Sequence, residues 1–451
     1  MNITQENTGN LTATLKVELE KKDYQQKVDQ ILKDHQKKSN MPGFRPGKVP
    51  MGMIKKMFGK SIVADEVNKI ISESLQNYIV DNNVKILGHP LPSKEKSPTV
   101  DFESDEDMVF YFDIGLSPDP DIELSEKIKI PYYDIQIDDK TIDKQISDVK
   151  KRHGQSETPE EAGPEDILRG QIVPADDPGT GSSDDEPKET TISLPHIKDK
   201  KQQSKFIGAK KGEQVVFNPL KATGNEAEAG YIAGNKAGEE INTDQDFRFT
   251  VNEIVRIIPA EMNQELFDKT FPQQGIQTEE AFREKIAEEM ARNFQNQSDQ
   301  QFMKDAIDKL IEESGMDLPD EFLKRWLLES NENKITKEQV EKEYSDYSKA
   351  MRWQLLENKI AKDYNLQVGD DEVRAYIRNY FIGQMGALPD DPEADQRMES
   401  IIDSVMQNKE EVDKVYEQLL NEKVKNEIKE KIKLKNKKIS HDDFIKLATK
   451  K

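Results

Sequence analysis

The residues best suited to do chemistry lie in one decapeptide, MPGFRPGKVP at 41–50. Its three prolines restrict the backbone, and its two glycines permit the sharp turns that remain. A loop so constrained displays Phe44, Arg45 and Lys48 outward in a fixed arrangement framed by Gly43 and Gly47. Arg45 offers a planar fork for phosphate oxygens, Lys48 a point charge, and Phe44 an apolar or stacking surface. A rigid turn whose charges merely face water could use the same residues. An exposed phenylalanine between cations favours display, and the chemistry is then recognition rather than bond making.

The distribution of charge points the same way. A formal net charge of −22 argues against general nucleic-acid binding, DNA included. Residues 21–60, however, hold eleven Lys/Arg against three Asp/Glu, a local balance of +8, which leaves −30 on the remainder. A small basic device on a large acidic body suits contact with one polyanion at one place.

Catalytic signals are missing by comparison. With no cysteine, a disulfide framework, a thiolate nucleophile and a Cys-ligated metal are excluded. The five histidines (His35, His89, His153, His196, His441) are scattered without metal-ligand spacing, and no Walker loop, GxGxxG, HExxH or GxSxG occurs. Carboxylates are too numerous to single out an acid–base pair. No cofactor or metal is expected. The opening MNITQENTGN lacks the apolar core of a signal peptide, and no run approaches the roughly 18 apolar residues of a membrane span. The expectation is a cytoplasmic protein without a membrane partner.

The elements that must hold the loop follow from periodicity. At 451 residues, two to four domains are expected. Hydrophobic and charged residues each make up 34%, with a mean hydropathy of −0.85. Such a chain is either substantially disordered or an elongated body with thin cores, and clear helical periodicity in the second half favours the latter. Leu11, Ala13, Leu15, Val17 and Leu19 alternate as a half-buried strand. Tyr24, Val28 and Ile31 then recur at helical spacing, and Val63 to Ile79 mark a longer helix beyond the loop. A returning strand at 108–114 closes an α+β unit. Residues 115–152 read as extended and then helical, with Ile142, Ile146 and Val149 on one face. The Pro-, Gly-, Ser- and acid-rich stretch 155–190 reads as linker or long loops. TTISL, EQVVF and FRFTV then suggest a small β-rich domain before Pro259. Beyond it come helices: Thr278 with Glu279 and Glu280 suits a helix start, a stripe from Phe302 to Ile311 ends at Gly315, and Pro319 restarts the pattern. The Lys-rich last 29 residues are expected to fray at their end.

GFRPGKVP at 43–50 resembles the ribosome-binding loop of the trigger factor family, bacterial chaperones at the exit tunnel. The similarity continues in MIKKMFGKSIVADEV at 53–67, in EMNQELFDKTFPQQGIQTEEAFREKIAEEM at 261–290 and, more loosely, in DLPDEFLKRWLLES at 317–330. The resemblance implies an α+β multidomain fold: a ribosome-binding head at 1–114, a first body segment and linker at 115–152, an FKBP-like β-rich insert at 153–257, and a helical chaperone body with arms at 258–451. It further implies that Phe44, Arg45 and Lys48 contact a ribosomal protein and large-subunit rRNA beside the exit. Nascent unfolded polypeptides would be the clients, shielded by weak, reversible, ATP-independent binding. The family loop usually carries a basic residue where this chain has Pro46, so docking should be slightly weaker unless Lys55 or Lys56 compensates.

The insert departs further from the family. Active FKBP-type domains surround the substrate proline with aromatics and a positioned carboxylate, and the Asp-Phe-Thr-Gly strand has no counterpart in EDILRGQIVPADD at 165–177. The Ile-Pro-Gly-Phe-Glu stretch is reduced to KKQQSKFIGAKKGEQVVF at 200–217, leaving Phe206, Ile207 and Phe217 as the residues of a vestigial prolyl pocket. Lys200, Lys201, Gln202 and Gln203 fall where an apolar floor is expected. The expectation is an FKBP-like fold without isomerase activity, the alternative being an active prolyl cis/trans isomerase acting on nascent chains.

Overall fold

The computed structural model describes residues 1–42, 44–45, 47–96, 98, 107–175, 187–235, 245–331, 334–385 and 392–449. The head begins with strands β1 (Asn2–Gly9) and β2 (Thr12–Leu19), followed by helices α1 (Lys21–Lys38) and α2 (Met51–Asp81) and strands β3 (Ile86–Pro92) and β4 (Met108–Leu116). The strands form an antiparallel sheet in the order β1-β2-β4-β3. Alternation in β2 sends Leu15, Val17 and Leu19 into a core shared with Met108 and Ile114, and the two helices cover that face. α1 supplies Tyr24, Val28 and Leu32, and α2 supplies Ile54, Ile62, Val67 and Ile71. A capping box starts α1: the Glu20 amide donates to Asp23 Oδ2 at 2.9 Å while the Asp23 amide donates to the Glu20 carbonyl.

Next come β5 (Lys129–Gln136) and α3 (Asp139–Arg152), whose N-cap Asp138 accepts from the Thr141 amide at 2.8 Å. The β-rich section holds β6 (Gln155–Glu157), β7 (Ile167–Pro174), β8 (Lys188–Ser193), α4 (Lys200–Ser204), β9 (Gln214–Phe217), α5 (Pro219–Thr223), α6 (Glu226–Ile232) and β10 (Phe247–Ile258). The sheet order is β6-β10-β7-β8, and β9 pairs with the start of β10, Phe217 opposite Phe247. Composition misleads here. The stretch 155–190, expected as linker or loops, contains β6, β7 and the start of β8, and β7 lies between β10 and β8. Gly170 explains how such a strand tolerates its composition: a Cβ there would lie 2.0 Å from the Thr250 carbonyl oxygen of β10. The most Gly/Ser/acid-rich part, 176–186, lies outside the described residues.

The remaining elements are α7 (Gln264–Thr270), α8 (Glu279–Ser314), α9 (Asp320–Ser330), α10 (Lys337–Asp363), α11 (Asp370–Met385), α12 (Pro392–Met406), α13 (Lys409–Lys431), β11 (Lys433–Ser440) and α14 (His441–Ala448). Thr278 Oγ1 accepts from the Ala281 amide at 3.2 Å at the start of α8, and Gly315 follows its end with φ +53°. Within the lysine-rich tail, β11 pairs with β5, and α14 follows with Phe444 buried. The final Lys450 and Lys451 lie outside the described residues.

Two compact units result. One comprises Met1–Tyr132 and Gln300–Lys437, the other Tyr133–Asp299 and Lys438–Lys451. In the first, β3 of the head packs on α9 through Leu87, Leu91, Phe322 and Leu323, while Ile130, Phe302, Leu310, Leu356 and Val424 build a separate helical core. In the second, the β-rich core around Phe206 and Phe249 is distinct from a cluster of Val149, Phe267, Phe282 and Phe444.

Candidate functional site

The 41–50 loop joins α1 to α2, and hydrogen bonds close it at several points. The Phe44 amide donates to the Met41 carbonyl at 3.1 Å, the Lys48 amide to the Arg45 carbonyl at 2.9 Å, and the Gly47 amide back to the Ser39 carbonyl at 3.1 Å. Gly47 sits at φ +74°, where a Cβ would meet the Lys37 carbonyl oxygen at 3.0 Å, so the return turn favours glycine sterically as well as conformationally. Val49 is fully buried and the Gln36 side chain donates to its carbonyl at 2.7 Å, anchoring the outgoing limb. This anchor is the part that the sequence reading did not single out. Its signal was present: Val49 is a β-branched residue between Lys48 and a proline.

With the base fixed, Phe44, Arg45 and Lys48 all lie exposed, Phe44 at 37%. Gly47 is half-buried beneath them, whereas Gly43 and Pro46 lie outside the described residues. Part of the basic segment is neutralised internally: Lys27 pairs with Glu66, Lys37 with Asp34 and Lys55 with Asp29. Among the described residues, no carboxylate lies within ion-pairing distance of Arg45 or Lys48. Among the described residues, the loop therefore presents an unneutralised, partly apolar surface on a hydrogen-bonded base.

The second candidate site is arranged differently. Phe206 and Phe217 are brought together, ring centroids 4.9 Å apart at 74°, and Phe249 meets Phe206 at 6.2 Å. All three are fully buried in the β-rich core, with Leu168, Ile192 and Val251 around them. Ile207, one residue on, is 46% exposed, and Tyr231 on α6 is 71% exposed. Lys200 and Lys201 are exposed on α4, whose N-cap Asp199 accepts from the Lys201 and Gln202 amides at 2.7 and 2.9 Å. The aromatics thus fill the interior with edge-to-face contacts, while in α4 Lys200 and Lys201 face solvent and the half-buried Gln203 donates to the Leu194 carbonyl at 2.9 Å.

Residues 1–149 match the family described as bacterial trigger factor protein, 156–259 the trigger factor FKBP-like domain, and 298–448 the trigger factor C-terminal domain. The chain belongs to the trigger factor family. The trigger factor of Chlorobaculum tepidum is 24% identical over 449 residues, covering 96% of each chain. That of Chelativorans sp. is 26% identical over 476 residues, covering 97% of this chain and 91% of its own. That of Chloroherpeton thalassium is 24% identical over 375 residues, covering 80% and 83%. A solved trigger factor chaperone chain, 14% identical, superposes over 95% of this chain with a TM-score of 0.45.

For a member of the trigger factor family the α+β multidomain architecture with an FKBP-like section is as expected. Among the described residues, no helix is long and apolar enough to cross a membrane, and no cluster of three or more His or carboxylate residues could hold a metal ion.

Proposed function

We propose that this chain is a ribosome-associated chaperone that docks through the 41–50 loop and shields nascent polypeptides by weak, reversible, ATP-independent binding in the cytoplasm. The observation that carries the reading is the loop itself: Gly47 and Val49 fix its base, and Phe44, Arg45 and Lys48 stand exposed, with no carboxylate among the described residues beside the two cations. A protein surface with rRNA phosphates beside it at the exit of the large subunit offers what those three groups need. Division of labour follows the four segments 1–114, 115–152, 153–257 and 258–451, with the first docking and the last holding clients. The FKBP-like section serves as a folded module without isomerase function, because Phe206 and Phe217 occupy its core rather than line a cleft.

The test is pelleting through a sucrose cushion together with a client assay. The full chain should sediment with ribosomes, and Phe44→Ala, Arg45→Ala and Lys48→Ala combined should leave it in the supernatant. Both proteins should still suppress aggregation of a chemically unfolded client without ATP. Sedimentation of the triple variant at wild-type levels would remove the loop from the reading, and unimpeded aggregation would remove the chaperone.

A further inference from the structure

α2 begins at the end of the loop, Pro50 accepting from the Met53 and Ile54 amides at 3.0 and 3.2 Å. Its inner face is ordinary core, with Ile54 and Val67 fully buried and Ile62 nearly so. Its outer face is not ordinary. Met53, Lys56, Met57 and Lys60 fall at i, i+3, i+4 and i+7, a single stripe of an α-helix, and all four are exposed. Met53 and Met57 are 41% and 52% exposed, one turn apart. Isolated exposed apolar residues are common on soluble proteins, but here two lie one turn apart on the same helix face. Among the described residues neither Lys56 nor Lys60 has an ion-pair partner, whereas neighbouring Lys55 reaches Asp29 at 3.7 Å.

We propose that this stripe is a second arm of the docking surface, in which Met53 and Met57 cover an apolar patch on a ribosomal protein while Lys56 and Lys60 face the anionic groups around it. The inference rests on the docking reading above and enlarges it from a loop tip to a loop-and-helix surface. Charge selects the occupant. Four cations without carboxylate partners among the described residues, Arg45, Lys48, Lys56 and Lys60, share the loop and the first turns of α2 in a segment of balance +8, and they favour an anionic partner. The methionines add what phosphate alone does not reward, a flexible polarizable surface that adapts to an apolar neighbour. The stripe also supplies cations where Pro46 removes one from the tip.

The experiment compares three full-length variants for binding to purified large ribosomal subunits across a salt series. Met53→Gln with Met57→Gln keeps helix propensity and side-chain length but wets the stripe, and should weaken binding by about tenfold with an unchanged salt slope. Met53→Leu with Met57→Leu should bind like the unaltered chain. Phe44→Ala/Arg45→Ala/Lys48→Ala reports on the loop separately. If the glutamine variant binds undiminished while the loop variant fails, the helical arm is overturned and the loop reading stands. If both bind undiminished, the loop reading falls and the arm with it. A concentration-dependent dimer that only the glutamine variant abolishes, with subunit binding unchanged, would give the stripe to a second copy of the chain and overturn the proposal.

Discussion

Arg256 grips Asp166 with a two-pronged hydrogen bond, Nε to Oδ1 at 2.8 Å and Nη2 to Oδ2 at 2.7 Å. The carboxylate is fully buried, also accepts the Gly163 amide at 2.6 Å, and joins β10 to the residue just ahead of β7. Burial alone would push its pKa up. The guanidinium's hydrogen bonds and charge, with the Gly163 amide, outweigh that and hold it below the usual carboxylate value. A carboxyl depressed in the folded state contributes stability above its unfolded pKa, near ~3.9, and loses it as pH falls through the folded value. Unfolding of the β-rich section in the full chain should therefore ease as pH drops below about 4. Asp166→Asn should flatten that acid limb and destabilise the section near pH 7, because Arg256 loses its charged partner. Hydrogen exchange on β7 and β10 peptides reads both effects; an acid limb identical in the variant would count against this assignment.

Phe206 separates a core role from a pocket role. Fully buried and edge-on to Phe217 and Phe249, it should cost about 3–5 kcal/mol on replacement by alanine, measured by urea unfolding of the full chain. In a protease-coupled assay on an X-Pro peptide, the unaltered chain should leave the slow phase of isomerisation unaccelerated. A clear acceleration would restore the enzyme reading.

Gly47 carries a conformational prediction. Alanine there must adopt φ +74° with its Cβ 3.0 Å from the Lys37 carbonyl oxygen, a strain of about 1–2 kcal/mol. Gly47→Ala should therefore loosen the display of Phe44 and Arg45 and weaken ribosome binding several-fold while the unfolding midpoint of the head shifts only slightly. Unchanged binding would mean that the loop need not be held.

In the first unit, two glycines let α9 settle onto the head. A Cβ on Gly115 would lie 2.5 Å from the Phe322 ring, and one on Gly88 2.7 Å from the Trp326 indole nitrogen, which donates to His89 Nδ1 at 2.9 Å. Arg325 completes the contact with bonds of 2.8 Å to Asp113 and to the Pro92 carbonyl. Gly115→Ala should displace Phe322 and cost about 1–3 kcal/mol, seen as faster hydrogen exchange in α9. Protection equal to that of the unaltered chain would show the packing to be slack.

Much of this arrangement is legible in the sequence wherever one face of an element is buried. β2 alternates, the α1 stripe repeats at helical spacing, and Thr278 marks the start of α8, because burial on one side leaves a periodic trace. Elements without a buried face leave none. β1 reads as a polar tail because nearly every residue is exposed, and only its backbone pairing with β2 makes it a strand. β11, with burial only at Leu434 and Ile439, is hidden among lysines and held by β5. β7 is masked by its Gly- and acid-rich flank. The loop was readable because proline and glycine act on the backbone locally, whereas its anchor at Val49 and the exposure of Met53 and Met57 depend on how α2 lies against the sheet.

The most direct measurement for the central claim is the affinity of the full chain for large ribosomal subunits between low and moderate salt, with and without Arg45 and Lys48. Binding should weaken steadily as salt rises, and each cation removed should lower the slope of log K against log salt by roughly 0.7–0.9 if it meets a phosphate. A salt-insensitive affinity, or one that Arg45→Ala/Lys48→Ala leaves unaltered in both strength and slope, would contradict docking through this loop.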